Sequence, residues 1–182
     1  MAAVDETQGR GLSLWLMPGD AVRQRLAALI ESLAARLGTS PFAPHLTLLP
    51  GIEGRPPDTV LEAARSLAAG LRPLTVRLES VESRQEHFRC LIALAAPHEP
   101  LRAAHSAAAR AFGRQPDPAF LPHVSLVYGS LAPEAGRALA TEAAPAAAVA
   151  FETARLHVWR TEGRVGDWRE IGAFDLGPGA RP

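Results

Sequence analysis

A chain of 182 residues with 47% hydrophobic and 21% charged content has ordinary globular composition and enough length to bury a core, which excludes a disordered chain. Nineteen basic residues balance 19 acidic ones, so no net field gathers a long polyanion such as DNA; all the basic residues are arginine, which excludes a phosphate-loop lysine and a Schiff base. Cys90 is the only cysteine, ruling out an intrachain disulfide or a thiolate-rich metal site and fitting a reducing cytoplasm, while Met1–Arg10 lacks a signal-like apolar core and no apolar run reaches membrane-span length.

Gly11 to Met17 alternates Leu12, Leu14 and Leu16 with Ser13, Trp15 and Met17, the period of a half-buried strand. Pro18 and Gly19 end it. Asp20 is a candidate cap for a helix in which Val22, Leu26, Leu29, Ile30, Leu33 and Leu37 recur at helical spacing up to Gly38. A strand is expected over His45 to Leu49, a helix from Asp58 to Gly70, and two pairing strands over Leu74 to Val81 and Phe88 to Leu94. A helix over Leu101 to Phe112 stops at Gly113, and a proline-containing loop from Arg114 leads into a strand at His123 to Tyr128. Pro133 to Ala143 reads as helix, and Phe151 to Thr161 with Trp168 to Leu176 reads as a closing hairpin.

Each half of the chain brings a helix before a strand that begins Pro-His, which predicts a pseudo-duplicated α+β domain. The expected architecture is two pseudo-symmetric lobes of mainly antiparallel sheet around a central cleft, with helices outside. One two-lobed domain spans 1–182, with loose tails at 1–10 and 177–182.

The chemistry lies in a pattern written twice, Pro44-His45-Leu46-Thr47-Leu48 and Pro122-His123-Val124-Ser125-Leu126. Two His-x-Ser/Thr units alone arise by chance in roughly one such chain in ten, so the proline and the aliphatic flanks carry the specificity. Proline favours an extended entrance, and residues two apart on a strand share a face, so each histidine stands beside its own hydroxyl while Leu46, Leu48, Val124 and Leu126 anchor the other face. Two imidazoles titrating near neutrality suit a phosphodiester displacement, one ring taking a proton and the other giving one. His45 and His123 are therefore the candidate catalytic residues, and Thr47 and Ser125 the candidate phosphate ligands. No carboxylate lies in either motif, so no metal site is expected.

These motifs, with Leu14-Trp15, Phe88-Arg89-Cys90 and Trp168, resemble the two-histidine phosphoesterase superfamily, and within it the cyclic phosphodiesterases. The resemblance spans nearly the whole chain. It implies hydrolysis, without metal or cofactor, of a nucleoside 2′,3′-cyclic phosphate or ADP-ribose 1″,2″-cyclic phosphate to a phosphomonoester. It further implies His45 as acid, His123 as base, and Tyr128 as an aromatic contact to the substrate. Trp15 shares a face with Ser13 and is a second candidate for stacking on a base, with a core position as its rival reading.

The parity of Tyr128 requires the strand to twist or end, because three residues from Ser125 is the wrong face of a regular strand. The remaining histidines, His87, His98, His105 and His157, lack a hydroxyl two residues on and are read as packing or surface groups. The expected partner is a small cyclic phosphate or nucleotide bound by a monomer, with no DNA and no membrane. Two rival functions are an RNA 2′,3′-cyclic phosphodiesterase or 2′-5′ RNA ligase-like enzyme acting on RNA ends, and a non-catalytic nucleotide-binding module.

Overall fold

A computed structural model describes residues 7–177; the outer parts of both expected tails, 1–6 and 178–182, lie outside the described residues. Within 7–10 and at 177 the backbone is tied down. Gly9 and Gly163 exchange hydrogen bonds of 3.0 and 3.1 Å, and the Gly177 N–H donates to the Ala68 carbonyl at 2.9 Å.

The strands are β1 (Leu12–Leu16), β2 (Leu46–Ile52), β3 (Leu74–Ser83), β4 (Leu91–Ala95), β5 (His123–Val127), β6 (Ala150–Thr153), β7 (Arg155–Arg160) and β8 (Arg169–Asp175). They form one antiparallel sheet in the order β6-β3-β4-β5-β2-β1-β7-β8. The helices are α1 (Asp20–Leu37), α2 (Pro57–Gly70), α3 (Glu99–Ala111) and α4 (Pro133–Ala147). Helix α1 packs on β5 and α4, α2 on β7 and β8, α3 on β2, and α4 on β3 and β4. This is the α+β arrangement expected: the half β8-β7-β1-β2 meets the half β6-β3-β4-β5, and the two Pro-His strands lie side by side at the centre.

Alternation along the strands divides the two faces of the sheet. Leu12, Leu14, Leu16, Leu46, Leu48, Val124 and Leu126 join the hydrophobic core with Leu26, Ile30, Ala64, Ala108 and Leu139 of the helices. The opposite face carries Ser13, Trp15, Thr47, His123 and Ser125 into a cleft. Strand β1 was expected to be half-buried, yet all five of its residues are buried. The reason is that aromatic rings cover its cleft face as well.

Four local expectations are corrected. Asp20 is the first residue of α1 rather than its cap, and its carboxylate accepts from Arg23 one turn on at 2.6 Å. Phe88 lies in a 3₁₀ turn, His87–Arg89, instead of in β4. The stretch from Phe151 breaks at Ala154 into β6 and β7, which pair with β3 and β1 in opposite halves of the sheet. Helix α4 runs past Ala143 to Ala147 and includes Pro145; the Arg25 guanidinium donates to the Pro145 and Ala146 carbonyls, both at 3.0 Å, satisfying groups that a helix end leaves open.

Candidate active site

Leu46 pairs with Val124 across the boundary between β2 and β5. One step either way along an antiparallel register sets His45 opposite Ser125 and Thr47 opposite His123. Each half thus contributes a histidine and a hydroxyl to a near-symmetric quartet, and all four line a cleft of about 560 Å³.

Within each motif the ring is held the same way. The His45 Nδ1–H donates to the Ala43 carbonyl at 2.6 Å, and the His123 Nδ1–H to the Leu121 carbonyl at 2.7 Å. A carbonyl only accepts, so the proton sits on Nδ1 in the neutral ring and Nε2 is left for the cleft. The intervening proline makes this bond possible, because it favours the extended backbone that turns the carbonyl two residues back toward the ring.

A sequence model described as the 2′-5′ RNA ligase superfamily matches residues 18–165. The chain belongs to that superfamily, the two-histidine phosphoesterases. Solved structures of similar fold include E. coli LigT in apo form, 13% identical with a TM-score of 0.61 over 93% of this chain and 99% of that one. They also include TT0787 of Thermus thermophilus, 19% identical with a TM-score of 0.61 over 91% and 97%. E. coli LigT complexed with 3′-AMP is 14% identical with a TM-score of 0.56 over 93% and 99%. None of the curated proteins matches the chain.

Within the quartet the two hydroxyls are not equivalent. The Ser125 Oγ–H donates to the Phe88 carbonyl at 3.0 Å. Thr47 has no such partner among the described residues and is half-buried on the cleft wall, so its proton is available to a bound anion.

Tyr128 reaches the cleft because β5 is irregular. Leu91 pairs with Val127 but Ile92 pairs with Ser125, so one extra residue of β5 is accommodated there, and the strand ends at Val127 before Gly129, whose φ is 147°. The extra residue resets the parity. The Tyr128 ring stacks on Phe42 at 3.9 Å, and its hydroxyl lies 3.5 Å from His45 Nε2, the outer edge of hydrogen-bond distance. Burial raises its phenol pKa above the ordinary range, with Ser125 opposing, so the hydroxyl keeps its proton.

Trp15 departs from the base-stacking expectation. One face of the indole is covered by the His45 ring, centroids 3.4 Å apart and 7° from parallel, and the other by Trp159 at 4.4 Å. With 2% of its surface exposed, it supports His45 and has no free face for a base. Phe88 and Trp168, 5.8 Å apart, line the cleft instead. Both were visible in sequence, but only the 3₁₀ turns before β4 and β8 swing them inward.

His105 was read as a packing group, and the structure gives it a definite task. Its Nδ1–H donates to the Leu48 carbonyl at 2.8 Å, its Nε2 accepts the Asp117 N–H at 3.1 Å, and its ring stacks on Phe120 at 4.0 Å. It pins the loop of residues 114–122 onto β2, and that loop forms one wall of the cleft. Arg89, whose planar guanidinium suits a phosphate, is paired to Glu86 at 2.5 Å.

Burial acts on both motif histidines. His45, 4% exposed, is lowered from 6.5 to about 3 by desolvation, opposed by the Ala43 bond and reinforced by His123. His123 is lowered chiefly by desolvation too, opposed by the Leu121 bond, with the Arg89 and Arg84 charges adding to the shift. In the free protein both rings are therefore neutral above pH 6.5. If one ring must be charged for turnover, kcat/KM should form a bell centred below about pH 6.5, falling at higher pH as that ring loses its proton. A bound phosphate favours imidazolium, so the basic limb of kcat should lie at higher pH than that of kcat/KM. Initial rates over a pH series check this, and a kcat/KM maximum above about pH 8 contradicts it.

Proposed function

We propose that the protein hydrolyses a small cyclic phosphate, a nucleoside 2′,3′-cyclic phosphate or ADP-ribose 1″,2″-cyclic phosphate, to a phosphomonoester by acid-base catalysis between His45 and His123. The observation that carries this reading is the paired Nε2 atoms, each aimed into one cleft by an identical Nδ1–H bond to backbone. Water in line with the departing sugar oxygen would lose its proton to one ring while the other ring protonates the oxygen. Thr47 and Ser125 would hold the non-bridging oxygens as charge develops on them.

The electrostatics favour His45 as base and His123 as acid, the reverse of the roles that the resemblance implies. A ring lowered to about 3, with the Tyr128 hydroxyl facing its Nε2, is the one that stays unprotonated. His123 is lowered as well but keeps its proton more readily, so an unprotonated His45 beside a protonated His123 is the favoured charged pair. Structures of E. coli LigT complexed with phosphate, 3′-AMP, NADP+ and ATP support a nucleotide-sized ligand for this fold.

Among the described residues no three His, Cys, Asp or Glu side chains are placed to hold a metal ion. The charge stabilisation in this proposal comes from imidazolium and hydroxyl groups. Turnover of a nucleoside 2′,3′-cyclic phosphate, followed by phosphorus NMR, is expected to continue unchanged in excess chelator. Loss of activity with chelator and its return with added divalent ion would overturn the metal-free mechanism; tight binding with no product at any pH would leave only a nucleotide-binding module.

A further inference from the structure

A second cavity, of about 700 Å³, lies beyond the cleft and is lined by Arg10, Arg55 and Arg160 together with Glu53 and Glu162. The sheet brings these residues together: Leu12 of β1 pairs with Arg160 on one side and with Ile52, which leads to Glu53 and Arg55, on the other. Gln8, Gly9 and Arg10 line both cavities. Gly9 is fixed there by its paired bonds to Gly163, and a side chain in its place would meet the Thr161 carbonyl and the Trp168 ring.

The three arginines leave donors open. Arg160 Nε is buried without a hydrogen-bond partner and closed to a ligand, so its terminal nitrogens are the donors available to the cavity; one of them lies 3.7 Å from the Glu162 carboxylate, beyond hydrogen-bond distance, and that carboxylate is 70% exposed. Arg10 has no side-chain partner among the described residues. Arg55 uses one nitrogen on the Phe112 carbonyl at 3.1 Å, and the Phe112 ring fixes its plane. Three guanidinium groups against two carboxylates leave the cavity positive, and a guanidinium fork with unpaired N–H groups matches phosphate oxygens.

We propose that this cavity is a second phosphate site, taking another phosphate of the same substrate whose cyclic end lies between His45 and His123. The inference rests on the function proposed above. Two extra residues of β2 are taken up between Leu46 and Ile52 against β1, so His45 and Ile52 stand about five strand steps apart, roughly 17 Å, and a mononucleotide held at the histidines ends inside the first cleft. A longer substrate crosses Arg10 into the second cavity. Its second phosphate comes either from the phosphodiester of an oligonucleotide or from the pyrophosphate of an ADP-ribose derivative.

The test compares three probes: a mononucleoside 3′-phosphate, a trinucleotide with a 3′-phosphate, and ADP-ribose 2″-phosphate. Their affinities are measured by calorimetry on the full chain, wild type and Arg160→Gln. At least one longer probe should bind about tenfold or more tighter than the mononucleotide, and Arg160→Gln should pull that ratio toward one. Which probe gains identifies the source of the second phosphate. The longer probe should also show the steeper salt dependence in the wild type, a readout that needs no variant. Equal affinities and equal salt slopes for all three would overturn the proposal, as would a preference that survives Arg160→Gln. Because binding is read without turnover, failure of the catalytic reading would appear separately, as absent hydrolysis of cyclic phosphates.

Discussion

Alanine at His45 or at His123 is expected to lower kcat by about a hundred- to ten-thousand-fold, the usual worth of a positioned acid or base. The two losses should differ in kind. An acid is needed most when the departing oxygen is a poor leaving group. On an activated diester with a phenolate leaving group, His123→Ala should therefore recover much of its lost rate, whereas His45→Ala, lacking the base, should recover little. Rescue of His45→Ala alone would restore the roles implied by the resemblance. Normal turnover by either variant, with circular dichroism showing a folded protein, would end the two-histidine mechanism. His45→Ala also removes a ring stacked at 3.4 Å on Trp15, so its folded state needs that check more than His123→Ala does.

Thr47→Ala is expected to lower kcat by on the order of a hundredfold, and Ser125→Ala by about tenfold or less, if each hydroxyl gives one hydrogen bond to the transition state. The inequality follows from their surroundings. Thr47 has a free proton facing the cleft, while Ser125 must first release the Phe88 carbonyl, so part of what it gives the phosphate is lost elsewhere. Serine at 47 should restore most of the Thr47→Ala loss, because it returns the hydroxyl without the methyl group. Steady-state kinetics on a single cyclic phosphate would settle the order; a larger defect in Ser125→Ala would show that its hydroxyl turns to the ligand at no cost.

The repeated Pro-His-x-Thr/Ser pattern was enough to set each histidine beside its own hydroxyl, because strand alternation is local: a residue two positions on must share the face, whatever the rest of the chain does; joining the two pairs into a quartet took the pairing of β2 with β5. The helix from Asp20 to Gly38 was legible for the same reason, its apolar period and its terminating glycine, φ 67°, both being short-range signals.

Tertiary structure decided what depends on distant strands. Phe151 to Thr161 is continuously strand-like, and only the partners β3 and β1, lying far apart in the sheet, divide it at Ala154. Tyr128 faces the cleft because β4 imposes a bulge on β5, and Trp15 is sealed between His45 and Trp159 because β1 sits between β2 and β7. The difference between the two histidines also lies outside their motifs, which are nearly identical. Desolvation is a sum over every neighbour, and the Trp15 ring that covers His45 reaches it from another strand, so only the assembled sheet could make one ring more reluctant to charge than the other.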